Sequence, residues 1–347
     1  MDTVGQVYVV DIITGKKTLY ADVGSPPLRP FWNAIDANGD MFVSRYNFDG
    51  TPGDVVRVEC PGSYSSFVTL PDQPLAVAFD RAARLHVGTE AGNLYRCDKT
   101  GTCSVFADVA TRGLAVAFDT GGDIYVSGGP VIRRITPAGV VSTFYDAVAD
   151  GYDAIPALSF DPVSGDLYAS GRTASTHRFH LMRFTGAERT VVVDWTAGEY
   201  ITASALLFGE DGTLFISDQT NGRVLQRKAG VISTFVGGLD NVVGLAMGNM
   251  NTAPMVTANP SNQTVSPGQN ATFTAAASGM PAPSVVWQVS SDGVSFTDIP
   301  NATLTTLTVA ATNDLNGSKY RAVFSNACAT ATTQSATLAV TTLQVPP

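Results

Sequence analysis

Apolar residues in the first 250 positions fall in runs of four to six, alternating or continuous, each cut by Gly, Asp or Pro. That period belongs to strands, and it excludes stacked helical pairs. The runs also recur. LAVAFD stands at Leu75 to Asp80 and again at Leu114 to Asp119, with PALSFD (Pro156 to Asp161) and SALLFG (Ser204 to Gly209) in the same role. A short turn and a second apolar run follow each time: GDMFVS from Gly39, RLHVG from Arg84, GDIYVS from Gly122, GDLYAS from Gly165 and GTLFIS from Gly212. Third segments carry basic or polar residues between apolar ones (VVRV, NLYRC, VIRRI, HLMRF, RVLQR), and fourth segments end near Phe67, Phe106, Phe144, Val193 and Phe235. Four strands per unit are predicted.

The anchors Phe79, Phe118, Phe160 and Phe208 lie 39, 42 and 48 residues apart, the spacing of four-stranded propeller blades. Radial packing buries both faces of such sheets and leaves short edges. Six first strands are countable, from FWNAID to VVGLAMG (Val242 to Gly248), but the sixth has no later strands after it. GQVYVVD and KKTLYADV at the amino terminus match third and fourth strands, so the ring is expected to close by joining the two ends in one blade. Aligning DTVGQV with DQTNGRV leaves Met1 just after the place of a second strand. The expectation is a natural protein that starts upstream, with that strand and an export signal in the preceding piece.

Composition shifts near Asn251. Only Asp292, Asp298, Asp314, Lys319 and Arg321 are charged among the last 97 residues. Domains of 1–250 and 251–347 are therefore expected, joined by a proline-containing connection. With 21 Lys plus Arg against 30 Asp plus Glu and a formal net charge of −9, nucleic acid is not an expected partner. No apolar run is long enough to span a bilayer, so membrane insertion is not expected either.

Cys97 and Cys103 flank a predicted hairpin turn, DKTGT, and are expected to form a disulfide in an oxidising compartment. Cys60 and Cys328 fall in different predicted domains and are left without an assigned pairing. DANGD and DTGGD resemble calcium loops but lack the distal bidentate Glu and recur at one turn position, which predicts plain β-turns. His177 and His180 in STHRFH do not form a zinc motif. No metal site and no cofactor are predicted.

The repeat resembles the NHL and SMP-30/gluconolactonase-like group of six-bladed propellers over about residues 1–250. That resemblance implies either a carboxylate and asparagine metal cluster in the central channel or a histidine base. Ahead of its innermost strands this chain offers Leu28, Arg29, Gln73, Arg112, Asp153, Thr202 and Asn241, which departs from the family's metal ligands. The carboxy-terminal strands, with Trp287 in the place of a central core tryptophan and NGSKY ending in Tyr320 as a tyrosine corner, resemble a bacterial immunoglobulin-like module. Ala275 and Ala322 stand where that family places its disulfide.

The expected architecture is all-β: a six-bladed β-propeller followed by an immunoglobulin-like β-sandwich. The face carrying the second-to-third and fourth-to-first connections has the longest loops, where binding residues usually sit. Tyr46, Phe48, Asp153, His177, Arg178, Trp195 and Tyr200 are the candidate ligand-binding residues there. A monomeric, secreted or cell-surface protein that binds a glycan or protein without catalysis is expected. The alternative is a metal-dependent hydrolase or a lyase of the SMP-30 or streptogramin-lyase type, with Asp153 and Asn241 as its remnants.

Overall fold

A computed structural model describes residues 5–11, 16–24, 28–195, 200–239 and 241–341. The chain is all-β, and the one helical element among the described residues is a 3-10 turn at Asn313–Leu315. Two compact units are formed, Met1–Val58 with Gly62–Gly248, and Glu59–Pro61 with Asn249–Pro347.

The first unit is of propeller type. It opens with β1 (Gln6–Val10) paired antiparallel to β2 (Lys17–Asp22). Five four-stranded sheets follow in chain order. These are β3–β6 (Leu28–Ile35, Met41–Asn47, Asp54–Cys60, Ser63–Thr69), β7–β10 (Pro74–Phe79, Leu85–Thr89, Asn93–Cys97, Cys103–Asp108) and β11–β14 (Ala115–Phe118, Ile124–Gly128, Val131–Ile135, Val141–Asp146). The last two are β15–β18 (Tyr152–Phe160, Leu167–Thr173, Phe179–Thr185, Glu188–Asp194) and β19–β22 (Ala203–Phe208, Leu214–Asp218, Arg223–Lys228, Val231–Val236).

Three side-chain patterns repeat from sheet to sheet. The second strand of each carries a ring that meets its own fourth strand or the first strand of the next sheet edge-on. Phe42 lies 4.9 Å from Phe67 and 5.1 Å from Phe79, Tyr125 lies 5.1 Å from both Phe144 and Phe160, and Tyr168 lies 5.0 Å from Phe208. Edge-to-face rings fix neighbouring sheets at one spacing. An Asp at the second-strand entrance binds an Arg of the third strand: Asp40 with Arg57 at 3.0 Å, Asp123 with Arg134 at 2.6 Å and Asp166 with Arg183 at 2.7 Å. The first-to-second turns are closed by the Asp that ends the first strand. Asp36, Asp80 and Asp119 each accept backbone N–H bonds from residues two and four ahead at 2.9, 2.9 and 2.8–2.9 Å. The carboxylates of DANGD and DTGGD thus serve their own turns.

The segment expected as a sixth first strand differs from its expected form. Val242–Gly248 makes no strand, although it runs beside β3: a Cβ on Gly244 would lie 2.7 Å from Asn33 Oδ1. A strand needs a ladder partner, and none is bonded to this segment among the described residues.

The second unit comprises β23 (Thr252–Ala258) paired with β26 (Ala276–Met280), β25 (Asn270–Thr274) paired with β29 (Thr306–Ala310), and a larger sheet. That sheet contains β24 (Gln263–Val265), β27 (Ser284–Ser290), β28 (Thr297–Asp298), β30 (Lys319–Ser325), β31 (Thr330–Thr332) and β32 (Ala336–Val340). Its core centres on Trp287, fully buried, whose Nε1 donates to Leu304 O at 2.8 Å, with Phe273 stacked on Tyr320 at 4.8 Å. Ala275 and Ala322 lie buried in the same cluster. Cys60, on the short piece Glu59–Pro61, is disulfide-bonded to Cys328, and Cys97 to Cys103 across the β9–β10 hairpin.

Candidate ligand-binding face

In each sheet the second-to-third loop and the entrance to the first strand emerge on one face. The fourth sheet has the longest first strand of the five. β15 has nine residues and two register shifts, and β16, like β4, has seven residues, two more than β8, β12 or β20. Bulges of this kind re-aim side chains at a sheet rim. Asp153 and Arg172 meet across the extension in a two-pronged pair, Nε to Oδ1 at 2.8 Å and Nη2 to Oδ2 at 3.0 Å. The guanidinium holds the Asp153 carboxyl below its usual range, against an opposing effect of burial. His177, mostly exposed and in the left-handed region at φ 54°, brings Nδ1 to 3.8 Å from Asp153 Oδ2. Tyr200 donates to His177 O at 3.1 Å, and the Arg178 guanidinium lies 5.6 Å from the Tyr200 ring centre. An exposed phenol ring, a cation and a fixed ion pair therefore share one rim.

Trp195 is placed elsewhere. Its ring is buried in the apolar cluster of Ile201, Leu206 and Leu225, and the backbone O accepts from Arg178 at 3.1 Å. The indole stabilises the loop base, so it offers no surface to a ligand. Of its loop, residues 196–199 lie outside the described residues.

Beneath the rim Tyr152 OH lies 2.6 Å from His180 Nδ1, and His180 Nε2 lies 3.2 Å from Asp194 Oδ1 without hydrogen-bond alignment. Burial raises the Tyr152 phenol above its ordinary pKa. The phenol therefore stays protonated near neutrality, within hydrogen-bond reach of the imidazole Nδ1. Tyr145, also raised chiefly by burial, donates to Asp150 at 2.6 Å.

Tyr46 and Phe48 form a second patch in the first sheet. Their rings are 4.8 Å apart, Tyr46 donates to Glu90 at 2.7 Å, and Arg29 lies 5.2 Å from the Phe48 ring centre. Phe48 is 64% exposed, enough to be stacked upon. Topology puts this patch on the same face of the unit as Tyr200.

Among the described residues no group of three or more His, Cys, Asp and Glu side chains is placed to hold a metal ion. Asp153 is engaged by Arg172, and Asn241 Oδ1 accepts from Gln219 Nε2 at 2.6 Å. This donor set does not fit the channel metal cluster that the gluconolactonase-like resemblance implied. Sequence reasoning missed Arg172 and the Tyr152–His180 pair. The one available signal was that LYASGRT runs past the usual end of a second strand, since cross-strand partners depend on a register that sequence does not print.

Residues 256–342 match the model of a family described as a domain of unknown function (DUF8696). Endoglucanase C of Cellulomonas fimi is 57% identical over 76 residues, which is 22% of this chain and 7% of that enzyme. The chain thus spans a small part of that relative's length. Virginiamycin B lyase from Staphylococcus aureus is a structural neighbour with a TM-score of 0.52 and 13% identity, over 71% of this chain and 83% of its own. A gluconolactonase from Xanthomonas campestris has a TM-score of 0.51 and 13% identity, over 65% and 85%. At these identities the likeness establishes the all-β, propeller-type fold.

Proposed function

We propose that the protein is an exported binding protein whose propeller loop face takes a glycan, in the first instance a glucan. The observation that carries this is the exposed Tyr200 ring with Arg178 against it, beside the Asp153–Arg172 pair. A sugar ring stacks its apolar face on an aromatic side chain while a carboxylate and guanidinium fix its hydroxyls. The partial match to an endoglucanase supports the glucan class, and two disulfides support an oxidising compartment. In this reading the first unit is a six-sector ring, the second an immunoglobulin-like β-sandwich spacer, and the whole a monomer. A glycan array probed with the full chain tests it: binding to glucans, at least about tenfold weaker in Phe48→Ala, is expected, and a blank array contradicts it.

A second reading, a histidine-based lyase, is favoured by Tyr152–His180–Asp194 and by the lyases among the structural neighbours. Turnover of cyclic depsipeptide or lactone substrates that vanishes in His180→Ala would replace the binding role.

A further inference from the structure

At the strand ends opposite the loop face, between the second and third sheets, lies a cavity of about 180 Å³ walled by the rings of His86, Phe106 and Phe118 and by Ile124. Roughly 150 Å³ is enough to take up a benzene ring. The walls are fixed by their own packing, since His86 stands edge-on to Phe106 at 5.7 Å and to Phe118 at 5.3 Å. Three arginines, Arg81, Arg84 and Arg96, border the same space. Arg81 is tied across to the third sheet, where its Nη1 donates to Thr120 O at 2.8 Å.

The charges around this cavity break the pattern of the other sheets. In the first, third and fourth sheets an Asp at the second-strand entrance holds the third-strand Arg that stands opposite the second-strand ring, through Nε at 2.6 to 3.0 Å. In the fifth sheet both charges are gone together, with Thr213 and Gln226 in their places. Of the five sheets only the second keeps the Arg, as Arg96 opposite His86, and puts another Arg where the Asp belongs. The positions are equivalent: Arg84 N donates to Asp80 Oδ1 at 2.9 Å, as Asp40 N does to Asp36 and Asp123 N to Asp119. Neither nearby carboxylate replaces the missing one. Asp80 is taken up by Ala82 N, by Arg84 N and Nε and by His86 Nε2, and Asp119 by Gly121 N and Asp123 N. Arg96, half-buried, makes no ion pair among the described residues, and its guanidinium lies 4.5 Å from the Phe106 ring centre. A guanidinium stacked in this way keeps the N–H groups at its edge for a planar acceptor.

We infer that this cavity is a binding site for a small organic carboxylate with an apolar body the size of one ring. Arg96 takes the carboxylate, and the body lies among His86, Phe106 and Phe118. The head group follows from the repeat, because a carboxylate is what the equivalent arginine holds in three other sheets, and the guanidinium fork matches its two oxygens. Exchange of Asp for Arg at position 84 acts twice: it leaves that carboxylate's place open and adds a second cation beside it. Three arginines against the two engaged carboxylates give the site a positive balance, in a chain whose formal net charge is −9. The body follows from the walls, since an inorganic oxyanion would leave the ring surfaces uncovered and gain nothing from them.

The test is titration calorimetry of the full chain with benzoate, with its uncharged counterpart benzyl alcohol, and with inorganic sulfate. Saturable one-to-one binding of benzoate is expected, at least about tenfold tighter than that of benzyl alcohol or sulfate, because the charged hydrogen bonds and the ring contacts are both needed. Arg96→Gln is expected to weaken benzoate at least about tenfold. Arg84→Asp rebuilds the pair of the first, third and fourth sheets and is expected to close the site by occupying Arg96, at unchanged Tm. That second variant keeps the test decisive should Arg96→Gln disturb the packing on Phe106. Absence of benzoate binding, equal affinity for benzyl alcohol or for sulfate, or undiminished binding by Arg84→Asp would each overturn the proposal.

Discussion

His86 occupies the place that Phe42, Tyr125, Tyr168 and Phe215 hold in the other sheets, edge-on to Phe106 at 5.7 Å and Phe118 at 5.3 Å. Its Nε2 lies 3.1 Å from Asp80, while the buried Nδ1 has no hydrogen-bond partner. An unsatisfied buried nitrogen costs on the order of 1 kcal/mol or more. Asp80 would keep the Ala82 and Arg84 backbone N–H groups and Arg84 Nε if the imidazole were removed. His86→Phe is therefore predicted to stabilise the protein by about 1 kcal/mol, read by urea unfolding at pH 7. Burial lowers the His86 pKa from 6.5, outweighing the raising effect of Asp80. Below that value the unfolded chain takes up a proton that the folded chain refuses, so stability rises with pH and is lost as pH falls below about 6.5. That acid-side loss should shrink in His86→Phe, and an unchanged pH profile contradicts the assignment. The histidine was visible in the sequence inside a second strand, but its unpaired nitrogen was not, because tautomer and partner depend on the neighbouring sheet.

At the level of the turn, the same repeat makes a second position exceptional. Gly39, Gly122, Gly165 and Gly212 take the left-handed conformation at φ 77–89°, and Ala83 takes their place at φ 56°. A side chain there costs roughly 1–2 kcal/mol, partly offset by the greater chain entropy glycine loses on folding. Ala83→Gly should gain about 0.5–1 kcal/mol and raise Tm by about 2 °C, checked by calorimetry; a lower Tm contradicts this. Strand order and turn position were legible because period and turn chemistry repeat locally. The length of β15 and β16 was less so, since rim extensions come from bulges that leave no periodic trace. The segment Val242–Gly248 was expected as a strand from its apolar pattern, and forms none, having no bonded neighbour among the described residues.

Across the whole molecule, both disulfides predict that the native chain titrates no free thiol under denaturing, non-reducing conditions and four after reduction. Two free thiols before reduction would remove one of the bonds. The Cys97–Cys103 spacing across a hairpin could be read locally. Cys60 and Cys328, 268 residues apart, could not. The loop face shows the same division. Its aromatic and charged residues were nameable from loop position, whereas burial of Trp195 and pairing of Asp153 with Arg172 emerge only when the fourth sheet is assembled. The central claim, that this face binds a glucan through Tyr200, is tested most directly by equilibrium binding of the full chain and its Tyr200→Ala form to soluble glucan oligosaccharides. The prediction is saturable binding by the native chain and at least about tenfold weaker binding by the variant at unchanged Tm. No binding by the native chain, or equal binding by both, would contradict it.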